Sequence, residues 1–391
     1  MQAYLDNSAT TRQSSQSKEA MVAAIDTDYG NPSSLHRMGV KAEKLVRKAR
    51  KQVEAAAGAG DGEIFFTSGG TESDNTAVFG AYNMLRRQGN HIITSRIEHP
   101  AVLECFKKLA AQGTEVSYLD PDSDGRVSCR QLEELLRPDT VLVSVMHVNN
   151  ETGTIQPVDE MGPLIKKKCP KALFHCDGVQ SFGKLPVKPK EWSMDLFSAS
   201  GHKIHGPKGT GLLYVKKGIH LPVYIYGGGQ EQGFRSGTEN VPGISGLGAA
   251  AAEAEAGMKE NFSRVKALRE RLLAGIRAEI PDIKVNSPEE NCLPYILNVS
   301  FLGTRGEVIL HMLEQHDIYV STGSACSSHK KGGSHVLTAM GLSPDETEGA
   351  IRFSLSPYNT EEEIDYTLEW LKKSVEDNRR MLAIASKGFR R

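Results

Sequence analysis

The stretch EIFFTSGGTESDNTAVFGAYNMLRRQGNHIITSRIEHPAVLECFKKLAAQG, residues 63–113, decides the fold. Two short apolar runs, EIFFT and HIITS, each end in small polar residues and pass into a segment with apolar residues every three to four positions. The runs read as strands and the periodic segments as helices. The same unit recurs downstream, where TEVSYLD leads into CRQLEELLRP and TVLVSVMHVNN into MGPLIKKK. Upstream, LHRMGVKAEKLVRKARKQVEAAAG, residues 35–58, predicts a helix closed by Gly58. Alternation of this kind predicts an α/β fold with a mainly parallel sheet, covered on both faces, whose ligands gather at the carboxyl ends of the strands.

Beyond Asn240 the character changes. A long helical segment, interrupted near Gly257, is expected to connect to a smaller α+β unit with strands near IKVNS, YILNVSF, IYVST and AIRFSLS. With 391 residues the chain exceeds the size of a single core, so two domains are expected: residues 13–255, and residues 1–12 together with 256–391. The ending SKGFRR is expected to fray. Lys and Arg number 47 against 48 Asp and Glu, which gives no electrostatic reason for nucleic acid or an anionic membrane as partner. No run approaches a spanning helix and the opening residues lack a signal-peptide core. The six cysteines are scattered without metal-site spacing, so no metal and no disulfide framework is expected, and a reducing cytoplasm fits. Asn261 and Asn298 head glycosylation triplets by chance.

The chemistry collects at strand ends. In SASGHKIHGPKGTG, residues 198–211, Lys203 follows a strand-like run. Desolvation beside other cations would lower its pKa and suit it to form a Schiff base. Asp177, ending the apolar run in FHCDGVQ, calls for a cation such as a protonated pyridine nitrogen. His99 offers a flat face at another strand end, and TSGGTESDN opens a helix whose free N–H groups favour phosphate. Taken singly, each has a plainer reading: Lys203 as a turn lysine, Asp177 as a turn acid, His99 as a core histidine, Thr71 as an N-cap. Taken together they describe a site for pyridoxal 5′-phosphate in an aspartate-aminotransferase-like fold.

The chain resembles the NifS/IscS-type cysteine desulfurases of the class V, fold type I group. The resemblance runs through YLDNSATT, YGNPSS, TSGGTESDN, TSRIEHPAV, HVNNETG, HCDGVQSFGK, SGHKIHGPKG, RSGTEN, STGSACSS and IRFSLSPYNTEEEID, nearly the whole chain. It implies that Lys203 holds the cofactor aldehyde and moves protons, that Asp177 keeps the pyridine nitrogen protonated, and that His99 stacks on the ring and takes part in proton transfer. It further implies Gln180 on the phenolic oxygen, Thr71, Ser200, His202 and the Gly70 backbone on the phosphate, and Thr238 reaching a phosphate in the neighbouring subunit of a homodimer. Asn150 would touch the cofactor side, and Arg352, joined by Asn31, would bind the substrate carboxylate. Cys326, on a small-residue loop at about 321–334, would take sulfur from L-cysteine as a persulfide, leaving alanine, and pass it to an acceptor protein such as an iron–sulfur scaffold. His329, Lys330 and Lys331 would favour its thiolate, or form a merely solvated basic loop. The competing readings are a selenocysteine lyase, a class V aminotransferase and a non-catalytic assembly platform. Arg12 and Gln13 stand where proline is common in the family, Gly70 where alanine is frequent, and Gln232 where arginine is frequent.

Overall fold

A computed structural model describes residues 1–322 and 333–388. Seven strands form one sheet, in spatial order Ile64–Thr67, Gly211–Val215, Leu196–Ser200, Leu173–Asp177, Thr140–Ser144, His91–Ser95 and Glu115–Leu119. The last five in this order are parallel to one another, whereas Gly211–Val215 runs antiparallel to both of its neighbours. The sheet is therefore mixed and mostly parallel. Its four central strands from Leu196–Ser200 to His91–Ser95 are buried along their whole length, as strands covered on both faces must be. Polar residues on such strands need partners. His175 bridges its neighbours, with Nδ1 2.8 Å from Ser144 Oγ and Nε2 2.9 Å from Ser198 Oγ.

A three-stranded antiparallel sheet of Ala350–Ser354, Ile296–Phe301 and Ile283–Val285 lies apart from it. The amino terminus is built in beside this sheet: Ala3–Tyr4 pairs in parallel with Ile318–Tyr319, and Asp6 bridges to Ser354. Ala3 and Leu5 share a core cluster with Ile296, Val299 and Phe353.

The helix Val241–Glu279 joins the two cores without the expected interruption at Gly257. Val241, Ile244, Leu247 and Ala251 pack into the large core, while Val265, Leu268, Leu272 and Ile276 pack into the smaller one. Its first half lies hard against the helix Arg37–Ala56: a Cβ at Gly248 would sit 2.5 Å from Ala49 Cα. Gly248→Ala is accordingly expected to lower the unfolding free energy by about 1–3 kcal/mol, read as an earlier urea midpoint at unchanged slope.

The helix Ser15–Asp26 was not legible because only Ser17 and Ala24 are buried, which leaves no apolar stripe. The helix Glu361–Gly388 takes in the first three residues of the ending SKGFRR, and residues 389–391 lie outside the described residues. Among the described residues no helix is long and apolar enough to cross a membrane, and no cluster of metal-ligating side chains occurs.

Candidate active site

A cavity of about 370 Å³ opens at the carboxyl ends of the central strands. Gly70, Thr71, His99, Asn150, Asp177, Gln180, Ser200, His202, Lys203 and Arg352 all line it. Asn31 and Thr238 do not: both are exposed, and Asn31 Oδ1 accepts from the Ser33 N–H at 2.9 Å. Cys326, with His329, Lys330 and Lys331, lies outside the described residues.

Lys203 ends the short 3₁₀ turn Gly201–Lys203 directly after its strand. Its Nζ donates to the Ser8 carbonyl and, at 2.9 Å, to the Ala9 carbonyl. The amino-terminal segment that supplies these acceptors is stitched down on both sides. Thr11 Oγ1 donates to the His202 carbonyl at 2.9 Å, and the Ser8 N–H donates to Ser354 Oγ at 2.9 Å. Gln180 Nε2 donates to the same Ser8 carbonyl at 3.1 Å.

Asp177 ends the strand Leu173–Asp177 and accepts from the Val179 N–H at 2.9 Å. Burial pushes its pKa up to about 6, against that N–H and the Lys203 charge. Beneath it, burial and then the Asp177 charge hold Asp74 well above the carboxylate range, and Asp74 Oδ1 has no hydrogen bond among the described residues.

His99 caps the helix Pro100–Ala110, its Nδ1 accepting from the Ala101 N–H at 3.1 Å. Burial, then the Lys203 and His335 charges, bring its pKa down to about 4, so the ring is neutral and its proton resides on Nε2. His202 is likewise brought down to about 4 by burial and by Lys203, with Nδ1 3.1 Å from Thr10 Oγ1.

Arg352, on the strand Ala350–Ser354, is 2 % exposed. Its Nη2 donates to Asp6 Oδ1 at 2.8 Å and its Nη1 to the Asn150 carbonyl at 3.0 Å. It is the backbone of Asn150, then, that meets Arg352. Ser321 pairs with the Arg352 backbone on one side of residues 323–332. On the other side Ser334 Oγ donates to Glu151 Oε2, and His335 Nε2 lies 3.0 Å from the Glu98 carbonyl.

The sequence profile of the family described as Aminotransferase class-V matches residues 3–367. The chain belongs to the class-V aminotransferase family. Within it the chain is 44% identical, over 382 residues, to the cysteine desulfurase IscS of Clostridium botulinum, covering 97% of this chain and 96% of that protein. A solved NifS-like protein superimposes with a TM-score of 0.91 at 41% identity, over 96% of this chain and 100% of that one. The structure of SspA in complex with cysteine superimposes with a TM-score of 0.80 at 36% identity, over 92% of this chain and 100% of that one. The family's fold is fold type I, and its cofactor is pyridoxal phosphate.

The residues present fit that cofactor. Asp177 is a buried carboxylate bonded by one backbone N–H, which a pyridinium would complete. The helix Gly70–Leu85 begins at the cavity wall, and Ser200 and His202 stand beside that wall, a suitable cradle for a phosphate. Gly70 makes the cradle close: a Cβ there would lie 2.7 Å from Val179 Cγ2.

Several contributors were not anticipated. Asp6, the Ser8 and Ala9 carbonyls, Asp74, Glu98 and His335 all face or support the cavity. Glu98 is buried and raised to about 8 by burial, against hydrogen bonds from Ser95 and the Met146 N–H. Its neighbour His99 was expected at a strand end, but the strand closes at Ser95 and His99 caps the next helix; nothing in the local pattern distinguishes Glu98 from a surface acid.

Proposed function

We propose that this chain is a homodimeric, pyridoxal-phosphate-dependent cysteine desulfurase, acting in the cytoplasm, that moves the sulfur of L-cysteine onto Cys326 and hands it to an acceptor protein. The observation that carries the reading is one cavity in which Lys203, Asp177 and His99 face Arg352. The same reading divides the chain into a cofactor-holding unit, 13–255, and a unit of 1–12 with 256–391 that brings Arg352 and Cys326.

Lys203 would hold the cofactor through Nζ; Asp177 the pyridine nitrogen; Gln180 the phenolic oxygen; Thr71, Ser200, His202 and the Gly70 N–H the phosphate; Thr238 the phosphate of the partner copy. When bound, the cofactor supplies an electron sink for charge that develops at the substrate's α-carbon. Arg352 orients the substrate through its carboxylate, a planar fork being suited to bidentate contact. Asp6 and the Asn150 carbonyl hold that fork in register. His99 presents Nε2–H to the cavity, and Lys203 Nζ moves protons at the substrate carbons.

The thiolate of Cys326 attacks the substrate sulfur. A sulfur–sulfur bond forms, the carbon–sulfur bond breaks with its electron pair going to carbon, and a proton at that carbon completes alanine. Cys326 is five residues from Ser321, a span of at most about 18 Å, and Ser321 is paired with Arg352. The tether therefore permits the encounter.

Incubation of the loaded protein with L-cysteine and excess dithiothreitol is expected to release one sulfide for each alanine. Without the reductant, brief exposure should add one sulfur atom to the peptide that carries Cys326, as read by mass spectrometry. Formation of a keto acid without sulfide would overturn the assignment in favour of transamination.

A further inference from the structure

Lys203 also borders a second cavity, of about 270 Å³, walled in part by Lys184, His205, Glu253, Tyr295 and Tyr358. Its size is just below the ~300–1,000 Å³ of common ligand pockets, so it suits a ligand of few atoms. It shares Asn7, Thr11, His205, Glu253, Ser356 and Tyr358 with a wider cleft of about 940 Å³, which offers a way in.

Two groups of opposite sign in this cavity are short of partners. Lys184 is 7% exposed. Its Nζ makes one long hydrogen bond, 3.5 Å to Gln180 Oε1, and lies 5.4 Å from the centroid of the Tyr295 ring. No carboxylate pairs with it among the described residues. An amine with so few acceptors is costly to keep charged, and burial, followed by the Lys203 charge, brings its pKa down to about 7.

Glu253, on the helix Val241–Glu279, accepts from the Tyr358 hydroxyl at Oε1, at 3.1 Å. Its Oε2 is buried without a hydrogen bond among the described residues. Both groups are close enough to act on His205, which burial and then Lys184 push down while Glu253 pushes up. The remaining wall includes Ala250, Ala254 and Leu355.

A donor short of acceptors, an acceptor short of donors and small apolar residues lining the same cavity describe a site for a zwitterion. We propose that this second cavity binds a small α-amino acid, its carboxylate on Lys184 Nζ and its ammonium on Glu253 Oε2, at a site distinct from Arg352. This inference does not require the desulfurase chemistry, only the cavity and its two groups.

The test is equilibrium dialysis of L-alanine against the cofactor-loaded protein, with the cofactor's absorbance followed in parallel to report the first site. Two alanines per chain are expected for the wild type, only one of which alters the absorbance. Lys184→Met and Glu253→Gln are each expected to lose the absorbance-silent equivalent; Glu253→Gln keeps side-chain shape and so guards against a misfolded lysine variant. Acetate, which leaves the Glu253 side unmet, should compete at the silent site at least about tenfold more weakly than alanine. A single alanine per chain that alters the absorbance overturns the proposal and leaves the desulfurase reading standing. A silent equivalent that persists in Glu253→Gln also overturns it. A silent equivalent without any absorbance change would support the proposal and count against the assignments around Arg352 and Lys203.

Discussion

Replacing Cys326 with alanine is expected to lower turnover of L-cysteine by at least about 10³-fold, or about 4 kcal/mol, while the protein keeps its cofactor absorbance. The groups assigned to cofactor and substrate stand in the cavity at the strand ends, where Asp177 is held by the Val179 N–H, His99 by the Ala101 N–H and His202 by Thr10. Removing one sulfur atom at position 326 leaves those contacts in place, so substrate should still bind and only the acceptor is lost. Among the described residues no cysteine lines that cavity. Burial pushes the Cys105 thiol up to about 12, Cys129 up to about 11, and Cys169, Cys176 and Cys292 upward as well, so all five are protonated, poor nucleophiles at neutral pH. Sulfide and alanine measured side by side check this. A variant that keeps more than about a tenth of wild-type release would remove Cys326 from the reaction.

The sequence exposes the fold wherever stability is local. Five-residue apolar runs feeding amphipathic helices are a short-range pattern, and the strands that carry Asp177 and Ser200 lie where that pattern put them. Site residues at or directly after strand ends, Asp177 and Lys203, inherit that legibility, and His99, the cap of the helix that follows its strand, meets them in one cavity. What stayed hidden depends on pairs distant in the chain. Asp6 and Arg352 are 346 positions apart, and the Lys203 contacts to the Ser8 and Ala9 carbonyls span 195 and 194. Such contacts leave no periodicity, and backbone acceptors have no side-chain signature at all. Asn31 and Thr238 differ for another reason. Their implied roles came by likeness to relatives, and within one chain both are exposed and away from the cavity wall.

Lys203→Ala is expected to lower turnover by at least about 10³-fold and, unlike the cysteine variant, to change the cofactor's absorbance and loosen its hold on the protein. The lysine is placed for the task by the amino-terminal segment. The Ser8 and Ala9 carbonyls receive its Nζ, and that segment is fastened to the strand Ala350–Ser354 through Ser8 and to the Lys203 turn itself through Thr11. Alanine keeps the turn but has no amine to bond the cofactor or to carry protons. Asp177, Ser200 and His202 remain in the cavity wall, so the variant should still take up the cofactor, but release it on gel filtration where the wild type retains it. The electrostatics shift in a defined direction. Burial is the main reason His99 and His202 titrate near 4, and the Lys203 charge is the next cause for both. Loss of that charge should raise both values in the cofactor-free protein, a change that NMR titration of the imidazole protons can follow. A purely structural lysine would predict a different pattern, in which turnover falls only as far as stability does. Added methylamine distinguishes the two readings, because an external amine can fill the space the side chain left and restore part of the turnover to a folded protein that lacks only the amine. A folded Lys203→Ala protein with undiminished turnover and absorbance would show that the amine which matters lies elsewhere.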